Sequence, residues 1–306
     1  MNAPVPAPEP MNQQLSPPKR ALLLVNRHSR RGQQSLDQAV NQLQQLGLEL
    51  IEESTPRPQQ LPDLIRRYKN QVDLVIIGGG DGTLNAAIPG LVDTQLPLGI
   101  LPLGTANDLA RTLSIPPSLP EACDIIATGK VHHIDLGCVN GKYFFNVASL
   151  GLSVQITEQL TKEAKRRWGV LAYAVTALKV IWQSRPFRAE IRLNGESIQV
   201  RTIQIAIGNG RYYGGGMTVV HDATIDDQRL DLYSLETEHW WQTLALLPAL
   251  WQGRHTSLPG VSVLRGTEIE VYTHKPRWIN TDGEITARTP AKFRVIPKVL
   301  PVLIPQ

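Results

Sequence analysis

Cysteine is nearly missing from these 306 residues: Cys123 and Cys138 are the only two. That rules out a disulfide framework and any CxxC metal site, and a reducing cytosol fits best. Long hydrophobic runs are missing too. The longest, near 168–182 and 240–251, fall short of a membrane span and are interrupted by Lys179 and Pro248. The basic residues are not concentrated in one block. The formal net charge is +4 with the basic residues scattered, so no nucleic-acid partner is expected. Residues 1–18 contain six prolines and no apolar core of a signal peptide, which predicts a disordered leader. A standard P-loop, G-x-x-x-x-G-K-S/T, does not occur. A Rossmann fingerprint fails because Gly208-Asn209-Gly210 would need a third glycine where Tyr213 stands. The expectation is a cytoplasmic protein that is soluble or at most peripheral to a membrane.

What is present begins with Gly78-Gly79-Gly80-Asp81-Gly82-Thr83, directly after the apolar run Leu74–Ile77. A strand, a glycine turn and a helix place backbone amides and the positive helix end around an anion, usually a phosphate. A carboxylate beside a phosphate calls for a divalent cation, so Asp81 points to Mg-nucleotide chemistry; the plainer reading is a tight turn with a capping Asp. From Ala21 to about residue 130 strand and helix patterns alternate, which predicts a parallel sheet covered by helices. Ser35 reads as the cap of a helix ending near Gly47. From about 131 to 296 short strands dominate (131–139, 143–148, 186–193, 197–207, 230–235, 261–272 and 291–296). Helical stretches at 152–182 and 239–252 interrupt them, and Asn194-Gly195 reads as a hairpin turn. The predicted architecture is an α/β domain followed by a β-rich domain, with the active site in the cleft between them.

Further candidates follow the same strand ends. In Pro102–Asp108, Thr105 or Asn107 either caps the next helix or faces the nucleotide, with Arg111 one turn on for a phosphate. Two glycine elements on adjacent parallel strands favour the shared ligand. Asn26–Gly32, with three arginines, is either a phosphate contact or a solvated loop. Residues 222–231 hold four carboxylates, the hard oxygen ligands of Mg²⁺ or Ca²⁺, although an acidic turn is the commoner explanation. Asn280–Glu284 offers a carboxylate as general base, and a type I′ Asp-Gly turn is the stronger reading of those residues alone. Lys162, Lys165, Arg166, Arg167 and Trp168, with Trp240, Trp241 and Trp251, suit a membrane interface, but core helices with a basic end are favoured.

Taken in order, five motifs resemble the diacylglycerol kinase catalytic family, most closely the bacterial lipid kinases of the YegS type. They are Gly78–Asn85, Gly99–Arg111, Ile207–Gly210 leading to Gly214–Gly216, Asp226–Asp231 and Asp282–Glu284. The resemblance runs from about Lys19 to the C-terminus. It implies an α/β ATP-binding domain over 19–133, completed by strands at about 296–306, and a lipid-binding β-sandwich domain over 134–295. It implies ATP held by Thr55, Gly79, Gly80, Asp81, Gly82, Thr83, Leu84, Asn85 and Thr105, joined by Asp108 and Arg111. It further implies a structural Mg²⁺, with Ca²⁺ an alternative, on the Asp227 carboxylate and the main-chain oxygens of Thr224 and Arg229. Glu284 becomes the proton acceptor, which reverses the preference for a plain turn. Gln228, where the family commonly has Gly, and Arg27-His28 depart from the pattern. The implied activity is transfer of the γ-phosphoryl group of ATP to a lipid hydroxyl at a membrane surface. A soluble-substrate kinase of the NAD kinase type and a non-catalytic lipid- or nucleotide-binding protein are the rivals. The lipid and the oligomeric state, homodimer included, stay open.

Overall fold

The computed structural model describes residues 20–25, 32–54, 57–159 and 175–306. The 1–18 leader, the arginines at 27–31, Thr55 and the 162–168 basic segment lie outside them. Three strands that read as apolar runs, β1 (Arg20–Val25), β3 (Leu74–Gly79) and β4 (Leu98–Pro102), form a parallel array with the glutamate-bearing edge strand β2 (Glu49–Glu53), in the order β2-β1-β3-β4. Such runs need cover on both faces. Helices α1 (Gly32–Gln45) and α5 (Leu119–Thr128) pack against each other, as do α2 (Leu61–Tyr68) and α3 (Asp81–Thr94). Leu22, Ile65, Ile76, Leu91 and Ile126 lie in the one core these elements enclose.

Helix α1 starts at Gly32, so Ser35 is an interior residue and not its cap. Its other end is as expected. Gly47 has φ of +90°, and the amides of Gly47 and Leu48 return to the carbonyls of Gln44 and Leu43, the Schellman arrangement.

The array does not end at β4. Strand β18 (Ala291–Ile304) pairs its last residues with β4 in parallel and its first with β15 (Glu268–Thr273) antiparallel. Beyond β15 lie β8 (Phe187–Leu193) and β9 (Glu196–Thr202), and β5 (Lys130–Val139) lines the length of β18. A second, six-stranded antiparallel sheet contains β7 (Val147–Gly151), β10 (Gln204–Gly208), β13 (Leu230–Leu235), β14 (Val261–Gly266), β16 (Trp278–Thr281) and β17 (Glu284–Arg288). The short strands β11 (Tyr212–Tyr213) and β12 (Met217–Thr218) pair with each other. Ile191, Val271 and Phe293 of the first sheet share a core with Leu150, Ile207 and Leu232 of the second. The antiparallel half of the large sheet thus packs face to face on the second sheet, as a sandwich.

Three predicted strands are each two strands. The stretch 197–207 divides at Ile203, where the Thr202 hydroxyl caps the carbonyls of Gln204 and Leu235 and turns the chain from one sheet to the other. The stretch 261–272 divides at Thr267 in the same way, and 143–148 divides between β6 (Lys142–Phe144) and β7. These are the corners of the sandwich, and the apolar alternation shifts phase at Thr202-Ile203 and lapses over Arg265–Glu268. Within the helical stretch 152–182 the described residues form α6 (Leu152–Gln159) and a helix over 175–183, and 160–174 lie outside them.

Candidate active site

Strands β3 and β4 end side by side, and both glycine elements leave from that edge. Gly80 and Gly104 stack backbone on backbone: a Cβ on Gly104 would stand 2.4 Å from the Gly80 Cα, and one on Gly80 3.0 Å from the Gly104 Cα. Both are glycine because no side chain fits. Asp81, first residue of α3, accepts the Leu109 amide through Oδ1 at 3.1 Å, so it locks the start of α4 (Asp108–Thr112) to the start of α3. Asn107 does not cap α4. With φ of +51° it turns its side chain back, accepting from the Gly104 amide and donating to the Gly104 and Pro102 carbonyls. Thr105 is exposed on this loop, and Leu84 is buried in the core. The first turn of a 14-residue helix, whose Thr83 and Leu84 amides return to the Gly80 carbonyl, opens beside this loop.

The opposite wall is the hairpin between β16 and β17. Asp282 and Gly283 have φ of +47° and +96°, so the Asp-Gly turn is type I′ and the simple geometric reading of it is correct. Its side chains do more. Asp282 Oδ1 accepts the amides of Asn146 and Val147 at 3.0 Å each, and Oδ2 accepts the Phe145 amide at 2.7 Å and Asn85 Nδ2 at 2.8 Å. Asn85 lies in the second turn of α3, so this carboxylate ties the hairpin to the glycine helix. Burial pushes its proton affinity up, and the four N–H donors pull against that. Asn280 Oδ1 accepts the Gly283 amide, and its Nδ2 donates to Thr157 of α6. Held in this way, Glu284 reaches over the glycine turn: its Oε1 lies 3.3 Å from where a Cβ on Gly82 would be. Sequence motifs separated by about two hundred positions meet at Gly82.

Asp108 is buried, and both its oxygens accept the Gly215 amide, at 2.9 and 3.2 Å. Burial raises its carboxyl to about 6, with Asp81 and Asp282 adding to the effect. Arg111 sits with its guanidinium 5.9 Å from the Tyr212 ring centroid and beside Gly216. Among the described residues no three His, Cys, Asp or Glu side chains converge to hold a metal alone.

The acidic turn is a separate construction. Gln228 takes φ of +59°, the conformation for which glycine is commoner, and its amide donates to Asp135, which also accepts from the Lys298 amide. Asp227 accepts the amides of Thr224 and Arg229, and the Arg229 Nε lies 3.1 Å from it. Arg229 and Arg265 also pair with Asp222 and Asp231. A cation on this turn has to compete with the guanidinium already there.

Asp282, Asn146 and Asn280 organise the site, yet in the sequence Asn280–Glu284 reads only as a turn or a general base and Asn146 is passed over. The signal available was Asp282 inside the Asp-Gly-Glu motif; Asn146 and Asn280 act through pairing that only the fold reveals. Comparison with known proteins agrees with the geometry. The family model described as the diacylglycerol kinase catalytic domain matches residues 20–139, and that of the YegS C-terminal NAD kinase beta sandwich-like domain matches 146–304. A diacylglycerol kinase of Bacillus subtilis (strain 168) is 27% identical over 294 residues, covering 94% of this chain and 97% of its own. A candidate lipid kinase of Staphylococcus haemolyticus (strain JCSC1435) is 29% identical over 245 residues, 78% of each chain. A solved Bacillus anthracis str. Sterne chain, described as a candidate diacylglycerol kinase, shares the fold with a TM-score of 0.82 at 23% identity, covering 95% of this chain and 98% of its own. With paired strand ends, a carboxylate hairpin opposite them and both family models matched in order, the chain belongs to the diacylglycerol kinase family of lipid kinases, in its YegS-type branch.

Proposed function

We propose that this kinase transfers the γ-phosphoryl group of ATP to a hydroxyl of a diacylglycerol- or phosphatidylglycerol-class lipid, with Glu284 as general base. The observation that carries the reading is Glu284 standing over Gly82 at the amide-rich start of α3, on a hairpin stapled to Asn85. ATP phosphates then lie along Gly79–Asn85, with Thr105, Asp108, Arg111 and Thr55 around them. Mg²⁺ would supply charge neutralisation to the phosphates, and Asp81 and Asp108 are the carboxylates that would share it. The lipid hydroxyl enters from the sandwich side, residues 134–295, into a cleft facing the ATP-binding part, residues 19–133 with 296–306. Glu284 takes the proton of that hydroxyl, the new O–P bond forms, and the bond to the β-phosphate oxygen breaks, leaving ADP. Positioning and electrostatics carry most of such a reaction. A second, structural cation on Thr224, Asp227 and Arg229 belongs to the same reading, subject to competition from the Arg229 side chain. The enzyme acts as a peripheral protein of the cytoplasmic membrane surface; its two cysteines are free and buried.

The test is transfer of labelled γ-phosphate from ATP across a lipid panel, with NAD as the soluble control. Wild type should label at least one glycerolipid and not NAD. Glu284→Gln should lower turnover by about 10²–10⁴-fold with ATP affinity nearly unchanged. Wild-type turnover in Glu284→Gln removes the base assignment, and labelling of NAD alone removes the lipid.

A further inference from the structure

Two helices of the sandwich half carry their amphipathicity reversed. In the helix over 175–183, Val180 and Ile181 face inward onto Leu152 and Ile156 of α6. Its outward stripe, at helical spacing, is Val175, Leu178, Lys179 and Trp182, with Val175 68% and Trp182 65% exposed. The neighbouring helix Trp240–Gln252 buries Leu246 and Leu250 and shows solvent Trp241, Ala245, Pro248 and Trp251. Leu244 and Leu247 of this helix pack against the Val180 cluster, so the two exposed stripes belong to one surface. A helix that meets only water turns a polar face outward; here the outward faces are apolar, and the indoles are not core residues as the sequence pattern favours.

We infer that this surface is the face with which the enzyme docks on an anionic lipid bilayer. The inference rests on the lipid-kinase reading above and adds the surface to it. Charge selects the occupant. Over 175–185 and 240–254 the charged side chains are Lys179, Arg185 and Arg254, with no Asp or Glu. Among the described residues the nearest carboxylates along the chain, Glu190 after the first stretch and Glu236 and Glu238 before the second, lie outside both stretches. An apolar face rimmed by cations suits anionic headgroups over acyl chains, and tryptophan is the residue most at home at that boundary. The surface is also wired to the site. Thr157 of α6 holds Asn280, which holds the Glu284 turn. Trp251 lies 3.5 Å from where a Cβ on Gly216 would be, one residue from the Gly215 amide on Asp108. A lipid lifted partway from the bilayer at this face has its headgroup directed toward Glu284.

The experiment uses full-length protein, vesicles of phosphatidylcholine with about 30 mol% phosphatidylglycerol, and the double variant Trp182→Ser, Trp241→Ser. Vesicle flotation should fall at least about tenfold in the variant, from the loss of two indoles at the interface. Phosphorylation of vesicle-embedded long-chain diacylglycerol should fall with it, while phosphorylation of monomeric short-chain diacylglycerol in vesicle-free buffer stays within about twofold. Flotation of the variant equal to wild type, or of neither protein, overturns the docking face. So does a wild-type dimer that the double variant splits, because the face then belongs to a second copy. Loss of flotation alongside a wild type that phosphorylates no lipid upholds the face and overturns the kinase reading. Lys179→Glu, a milder change, should weaken binding to phosphatidylglycerol vesicles and leave the melting temperature unchanged; equal binding overturns the charge argument.

Discussion

Replacing Asp282 by asparagine removes one charge and changes nothing in shape, which isolates what the carboxylate does. All four of its partners are N–H donors: three backbone amides and Asn85 Nδ2. The side-chain amide of the variant must point its NH₂ group at one pair of them. Toward the Oδ1 position it would face the amides of Asn146 and Val147, neither of which can turn. Toward the Oδ2 position it would face Asn85, whose side chain can flip to accept, and the Phe145 amide, which cannot. The second choice costs less and leaves one buried donor unsatisfied, about 1–3 kcal/mol. The three remaining bonds lose charge assistance at about 1 kcal/mol each. Against this stands the relief of burying no charge, so the net loss should be about 2–4 kcal/mol. For a chain of 306 residues that corresponds to a melting temperature lower by roughly 3–6 °C. Denaturant unfolding with Asn85→Ala and the double variant completes a cycle, and a coupling of about 1 kcal/mol is expected between the two side chains. Turnover should fall with the loosened Glu284 turn. An unchanged midpoint together with unchanged turnover would refute the staple between hairpin and glycine helix.

Three further outcomes can be checked on the same protein. Gly104→Ala drives a methyl to 2.4 Å from the Gly80 Cα and 2.6 Å from Asn107 Oδ1; a loss of about 2 kcal/mol or more by urea melts, with reduced ATP affinity, is expected, and a neutral result would show the two loops free to separate. Asp108 titrates near 6 when folded against an ordinary 3.8, so the native state holds the extra proton between those values. Stability from this group is therefore greatest below about pH 4 and declines by about 3 kcal/mol as pH rises to about 6, and Asp108→Asn should flatten that slope between melts at about pH 4.5 and 7, an identical slope defeating the assignment. Arg229→Met should let added Mg²⁺ raise the melting temperature more than it does in wild type. Equal gains in both would mean that the guanidinium is not the counter-ion of Asp227.

The α/β half was legible because its signals are local. Buried parallel strands read as continuous apolar runs, and each helix between them carries its own periodicity and terminus, down to the Gly47 cap. The sandwich was legible strand by strand but not in its sheets. Apolar alternation shifts phase between Val200 and Ile203 and lapses over Arg265–Glu268, but only the hydrogen bonding shows that the chain moves from one sheet to the other there. β18 is expected to divide near 296, where Pro297 and a register shift fall, but only the pairing shows one continuous strand with an antiparallel neighbour at its start and a parallel one at its end.

The site divides along the same line. Gly80 and Gly104 were visible as a phosphate motif, yet their own neighbours explain why no other residue stands there: two backbones touch. Packing and ligand readings are therefore not rivals at this edge, because the close approach is what sets the first turn of α3 beside the next loop. The Asp-Gly hairpin makes the same point from the other side. A type I′ turn was the better reading of Asp282-Gly283 alone, and it is the conformation found. Only because the turn is that tight can one carboxylate collect four donors from β7, its approach and α3, and so carry Glu284 to Gly82. A reader of the sequence has to choose between turn and catalyst; the folded chain obtains the catalyst's position from the turn.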